Sequence, residues 1–73
     1  MNRHRIRIWL DPEDLEEMTE FFPEDHRDAE RIVQVLKQHN SLVQQDPTIK
    51  PVRWNWHERQ AKTLDPWTEV EGG

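Results

Sequence analysis

Between residues 28 and 43 the apolar side chains return with a helical period, and no other stretch of the chain does so as cleanly. Ala29, Ile32, Val33, Leu36 and Val43 stand at offsets of 0, 3, 4, 7 and 14, and Val35 widens the same side. Glu30, Arg31, Gln34, Lys37 and Gln38 are left to the opposite side. Such a stripe predicts an amphipathic helix that must lie against something. The rest of the chain is constrained by the need to cover it.

Two segments can do so. Residues 3–10 alternate, with Ile6, Ile8 and Leu10 on one side and Arg5, Arg7 and Trp9 on the other, which predicts a half-buried strand. Residues 52–57 alternate in the same way, with Val52, Trp54 and Trp56 opposed to Arg53, Asn55 and His57. Between the first strand and the long helix, Asp11 offers an N-cap, Pro12 fits the first helical position, and Glu13 and Asp14 suit the positive end of a helix dipole. This predicts a short helix over 12–22, with Leu15, Met18, Phe21 and Phe22 inward and Glu13, Glu16, Glu17 and Glu20 in water, stopped by Pro23. Asp25 or Asp28 caps the long helix, which ends before Asp46-Pro47, and residues 44–51 form a linker with two prolines.

The expected architecture is a small α+β domain: two helices packed on a two- or three-stranded antiparallel sheet, in the order strand, helix, helix, strand. The strands pair within the chain, so that Ile6, Ile8 and Leu10 meet Val52, Trp54 and Trp56 against Ala29, Ile32, Val33 and Leu36. Residues 1–57 make the compact unit and 58–73 a weakly patterned tail. In that tail Asp65-Pro66 marks a turn, 67–70 offer a short edge strand, and Gly72-Gly73 are expected to fray.

Seventy-three residues without cysteine suit one modest core, with neither disulfides nor thiolate metal sites, in a reducing compartment such as the cytoplasm. No apolar run is long enough for a signal peptide or a membrane span. The net charge of −5 is unevenly placed. Arg3, Arg5 and Arg7 make the first ten residues basic, whereas residues 11–30 hold ten acids against Arg27. Such a dipolar surface suits steering of a patterned partner, or, more plainly, keeps an exposed face solvated.

Chemistry finds little purchase. His4, His26, His39 and His57 include no pair at the i, i+4 spacing of a helical zinc site, and no cysteine completes one. Ser41 is the only serine and lacks a nucleophile elbow. The acids read as solvated rather than as a pair held in contrasting environments. No catalytic residue, metal or cofactor is expected. Of the four tryptophans, Trp54 and Trp56 make a core pair, Trp9 shares its strand face with Arg5 and Arg7, and Trp67 opens the candidate edge strand. Arg3, Arg5, Arg7 and Trp9, with the nearby acids Glu13 and Glu16, are the candidate partner-binding residues. Ordinary cross-strand cover by long side chains is the alternative reading of that row.

A basic strand followed by two helices, over residues 3–40, resembles the ribbon-helix-helix DNA-binding regulators. That resemblance implies a dimer whose Arg5, Arg7 and Trp9 enter the major groove while Arg3 reaches a phosphate. The chain departs from it in its acidic first helix, in a Pro23-Glu24-Asp25 connection without glycine or small hydroxyl residues, and in the in-chain partner offered by 52–57. In length, acidity and lack of cysteine or catalytic equipment, the chain also resembles the small host-takeover proteins of lytic bacteriophages that bind bacterial RNA polymerase. That resemblance implies a polymerase subunit as partner and inhibition or redirection of transcription as activity. The working expectation is a monomeric, non-enzymatic protein-binding regulator; the alternative is a ribbon-helix-helix repressor or antitoxin.

Overall fold

The computed structural model describes residues 3–60 and 66–73. Five elements follow one another: β1 (His4–Trp9), β2 (Thr19–Phe21), α1 (His26–Leu42), β3 (Arg53–Glu58) and β4 (Thr68–Gly72). The strands form one antiparallel sheet in the order β2-β1-β3-β4, and α1 packs on β1 and β3.

The central ladder is the pairing expected from the two alternating segments. Ile6 stands opposite Trp56 and Ile8 opposite Trp54, so the even-numbered side chains of both strands share one face. That face meets the α1 stripe. Ile6, Ala29, Val33, Leu36, Trp54 and Trp56 are the buried core, and Ile8, Ile32 and Val52 pack at its margin. Two inward assignments change. Leu10 lies beyond the end of β1 and is exposed, and His4 takes the third inward place on the strand. Val35 is exposed as well.

The architecture of two helices on a two- or three-stranded sheet is corrected to one helix on four strands. The helix expected over 12–22 does not form. Asp11 Oδ1 accepts the Glu13 N–H at 3.0 Å and Asp14 Oδ1 accepts the Glu16 N–H at 3.2 Å, two local turns that compete with helical hydrogen bonding. A helix here would also set Glu13, Glu16, Glu17 and Glu20 at mutually repelling i, i+3 and i+4 positions. The chain instead turns back, and β2 pairs with the open edge of β1. With β2 on one side and β3 on the other, β1 has no edge left for a second chain, so the ribbon-helix-helix arrangement is not formed.

The long helix starts where Asp25 accepts the Asp28 N–H at 2.8 Å and ends at Leu42, with Val43 as its C-cap. Asn40 fixes its far end. The Asn40 amide donates to the Val52 carbonyl at 2.9 Å while its oxygen accepts the Val52 N–H at 2.8 Å, which ties α1 to the start of β3. Lys37 pairs with Glu71 and ties the helix to β4.

Beyond residue 57 the sheet continues, where a weakly patterned tail was expected. The Arg59 N–H donates to the Arg3 carbonyl at 3.0 Å, and β4 lies along β3 with a bulge between Trp56 and His57. Gly73, expected to fray, exchanges two backbone hydrogen bonds with Trp54, and a Cβ on it would sit 2.7 Å from the Trp54 indole nitrogen. The turn expected at Asp65-Pro66 falls, at Asp65, outside the described residues.

The Asn40 clamp generates a stability prediction. Asn40→Ala leaves the Val52 N–H and carbonyl unmatched in a half-buried position and is expected to cost about 2 kcal/mol. Urea unfolding followed by tryptophan fluorescence measures it, and Asn40→Asp, which keeps one of the two bonds, falls between Asn40→Ala and the parent.

Candidate functional site

Because α1 covers one face of the sheet, the odd-numbered side chains of β1 and β3 stand on the other. Among the described residues no element packs over that second face. Arg5, Arg7 and Trp9 come from β1, and Arg53, Asn55 and His57 from β3. The register sets Arg5 opposite His57, Arg7 opposite Asn55 and Trp9 opposite Arg53. Glu20 arrives from β2 opposite Arg7, and Glu69 from β4 opposite His57. Trp67, just before β4, brings its ring to 4.5 Å from the Arg5 guanidinium carbon and 4.2 Å from that of Arg59. Arg53 lies over Trp9 at 5.5 Å.

Charge is thus sorted between the faces. Among the described residues, Arg5, Arg7 and Arg53 are set on this face against Glu20 and Glu69, a net positive balance in a chain whose net charge is −5. Arg7 Nε donates to Glu20 at 3.1 Å, an exposed pair that fixes geometry more than it adds stability. The guanidinium of Arg5 is crowded: burial, then the nearby Arg7, lower its pKa, opposed by Glu20 and reinforced by Arg59. Burial also holds His57 below the ordinary imidazole value, with Arg5 and Arg7 adding to the effect and Glu69 opposing it.

Three polar atoms in the middle of this face are buried and have no hydrogen-bond partner: Arg5 Nε, Asn55 Oδ1 and His57 Nδ1. They are neighbours, since Arg5 and His57 are directly opposed and Asn55 precedes His57 by two residues on the same strand face. Unmatched buried polar atoms are uncommon and costly.

The sequence-derived candidates divide. Arg5, Arg7 and Trp9 are brought together on the uncovered face. Arg3 sits exposed at its rim, its carbonyl engaged by Arg59. Glu13 and Glu16 are exposed in the β1–β2 loop rather than on a helix or on the sheet. That loop is nevertheless fixed beside the face, because the Trp9 indole N–H donates to the Leu15 carbonyl at 3.0 Å. Sequence reasoning missed Arg53, Asn55, His57, Arg59 and Trp67. The first three were legible in principle, being the alternate positions to Trp54 and Trp56; the other two required the β3–β4 connection.

Two further concavities flank the sheet. One, of about 700 Å³ at the end near α1's start, gathers His4, His26, Asp25 and Glu58. Its His4 ring is committed to the fold, accepting a long 3.4 Å bond from the Trp56 indole N–H. Among the described residues no group of three His, Asp or Glu side chains is placed to hold a metal ion. The other is a wholly apolar groove between α1 and β2, lined by Ile8, Phe21, Ile32, Val35 and Leu36. Among the described residues no helix is long and apolar enough to cross a membrane.

Compared with family models, with curated proteins and with solved structures, the chain matches none of them.

The two depressed histidines give the fold a pH dependence. Burial, opposed mainly by Glu58 and reinforced by His26 and Arg3, lowers His4 below 6.5, as burial and the arginines lower His57. Between the folded values and 6.5 the unfolded chain binds more protons, so stability is full above that value and falls as pH drops through the window. The urea midpoint is expected to be lower at about pH 5.5 than at about pH 7.5, and His57→Gln, which cannot titrate there, is expected to shrink the difference.

Proposed function

We propose that the protein is a non-enzymatic regulator that acts by binding a larger protein through the uncovered face of its sheet. The observation that carries this reading is the gathering of Arg5, Arg7, Arg53, Trp9 and Trp67 on the sheet face that α1 leaves uncovered. Arginine and tryptophan dominate the energetic centres of protein interfaces, because each combines broad apolar contact with directed hydrogen bonding. Polar and charged groups on an otherwise flat sheet suit recognition better than catalysis, which needs a water-excluding cleft around reacting atoms.

The saturated edges of β1 favour action as a monomer, since the strand that carries Arg5, Arg7 and Trp9 has its neighbours within the chain. The overall likeness to phage regulators, taken into this proposal, makes the partner a bacterial RNA polymerase and the place of action the host cytoplasm. The contacts argued from the face do not depend on that identity.

The test is capture from a bacterial lysate at low salt, followed by reconstitution with the purified partner. The parent is expected to retain one stoichiometric protein, and the double variant Arg7→Glu, Arg53→Glu to bind it at least about tenfold more weakly, about 1.4 kcal/mol or more. Circular dichroism of the variant should match the parent, because both side chains are partly or fully exposed. Equal binding by the folded variant would remove the sheet face from the interface.

A further inference from the structure

The two edges of the sheet are not alike. At one, β4 is held to the helix by Lys37–Glu71 and runs along β3 with a bulge. At the other, Thr19, Glu20 and Phe21 of β2 are all exposed, and among the described residues no strand lies beyond them. Hydrogen-bonding directions alternate along a strand, so the two bonds between Trp54 and Gly73 set the phase for the whole sheet. With Trp54 turned to β4, Arg53 and Asn55 turn to β1, opposite Trp9 and Arg7, and the Arg59–Arg3 bond keeps the same phase. Ile6 and Ile8 then turn to β2, where they meet Phe21 and Thr19. Glu20, between those two, is left with its backbone N–H and carbonyl directed outward at the open edge.

The helix side of this edge is apolar and open. Thr19 and Phe21 share that side with Ile8 and Ile6, while α1 packs on β1 and β3. Because Thr19 is small, a hollow remains beside it, lined by Ile8, Phe21, Ile32, Val35 and Leu36, of which Phe21 and Val35 are exposed. The surroundings are acidic. Residues 10–25, which supply β2 and both its connections, hold eight acids and no lysine or arginine. Glu16, Glu17, Glu20 and Glu24 are exposed on β2 or within three residues of its ends, with Arg7 engaging Glu20 from β1. Arg27 and Arg31 line, with Glu30, a separate concavity that shares only Val35 with the groove.

We infer that the open edge of β2 takes a short extended segment of a partner protein in which apolar and basic residues alternate. This surface is distinct from the uncovered face and does not depend on the reading of that face. An added strand is held by main-chain hydrogen bonds, here to the Glu20 N–H and carbonyl, and is selected by its alternate side chains. The residue opposite Glu20 turns its side chain to the Glu20 side of the sheet, where a Lys or Arg meets the acids of this edge. Its two neighbours, opposite Thr19 and Phe21, stand in the closely spaced pairs and turn to the helix side. There a long apolar side chain leans over Thr19 toward Ile8 and Val35. Pro23 has no N–H and ends the edge two residues beyond Phe21, so the engaged segment is short.

Other occupants fit this edge less well. A second copy, paired antiparallel about Glu20, sets Glu20 against Glu20 and Glu16 against Glu24, and like charges directly opposed are destabilising. A nucleic acid meets the same acids with its own phosphates. A helix laid in the groove covers Phe21 and Val35 but leaves the Glu20 backbone unpaired, and three residues of β2, about 10 Å, match fewer than two of its turns.

The experiment is an NMR titration of the full chain with capped heptapeptides: Lys and Val in alternation, the same with Glu for Lys, and two backbone N-methylated forms of the first. A Leu–Lys tetradecapeptide of helical spacing is the fifth probe. The Lys–Val peptide is expected to shift the backbone amides of residues 19–22 and the methyl groups of Ile8, Ile32 and Val35. It should bind at least about fivefold more tightly than the Glu–Val peptide and slow exchange of the Glu20 amide at least about tenfold at saturation. N-methylation at every Lys removes the donors that face Glu20 and is expected to abolish binding, whereas N-methylation at every Val, on the opposite edge, is expected to spare it. Val35→Lys, which sets a base in the groove, and Glu17→Lys with Glu24→Lys, which removes its acids, should each weaken the Lys–Val peptide several-fold. All three positions are exposed or half-buried at most, so circular dichroism should match the parent. Equal binding of the Lys and Glu peptides overturns the inference, as do equal effects of the two methylation patterns, a response centred on β4 or on the uncovered face, or no response at millimolar peptide. Preference for the helical peptide with Glu20 exchange unchanged overturns it in favour of a helix. Glu20 protection that grows with protein concentration, without peptide, overturns it in favour of a second copy.

Discussion

Everything in this molecule depends on the register of β1 against β3. Six cross-strand pairs hold it, from His4–Glu58 to Trp9–Arg53. Because side chains alternate along a strand, one register decides two things together: that Ile6, Ile8, Trp54 and Trp56 lie under α1, and that Arg5, Arg7, Arg53 and His57 do not. A rotation of either strand by one residue would trade a large apolar surface for guanidinium groups beneath the helix. Each large apolar side chain lost from the core would cost about 2 to 3 kcal/mol, and each arginine buried without a partner would cost several more. The composition of the uncovered face is thus as firmly determined as the core, although none of its residues contributes to it.

The parts legible in the sequence were those whose pattern and packing agree. β1, β3 and α1 each carry one apolar face with the correct period, and each buries it. The failure at residues 12–22 has a different origin. Asp11, Pro12 and the acids that follow imitate a helix start, and Leu15, Met18, Phe21 and Phe22 imitate an apolar stripe. The imitation ignores repulsion among four glutamates and the demand of β1 for a second neighbour, which only a strand can meet. Thr19–Phe21 is too short to announce itself by alternation, and it exists because the edge beside it does. The sequence offers a short edge strand over 67–70, and β4 forms there, over Thr68–Gly72; its pattern is slight, and its place comes from β3 and from the close approach of Gly73 to the Trp54 indole.

The candidate site shows the same division. Arg5, Arg7 and Trp9 could be assigned to one face from the period of their own strand. Arg53, Asn55 and His57 obey the same rule on β3, and their significance appears only once the two strands are known to be neighbours, which brings Arg5 against His57. Trp67 and Arg59 lie far from Arg5 in sequence and meet it through a connection no local pattern encodes. Glu13 and Glu16 were grouped with the arginines by proximity in the chain; the structure sets them in a loop beside the sheet rather than in the cationic patch.

A single 17-residue helix is about 25 Å long and one helix wide, so it can cover the two central strands on one side and nothing more. The opposite side must then tolerate water unaided. Arginine meets that need in two ways at once, since its alkyl stem covers the backbone of the sheet while its head remains solvated or rests on an indole ring. Stacking of Arg5 and Arg59 on Trp67, and of Arg53 on Trp9, therefore stabilises the uncovered face without closing it. What it leaves unfinished is directional: Arg5 Nε, Asn55 Oδ1 and His57 Nδ1 point into a surface already shielded from bulk water but not matched within the chain. The folded chain keeps such atoms at a cost. In so small a fold the stacked rings thus offset part of what the unmatched polar atoms between them cost.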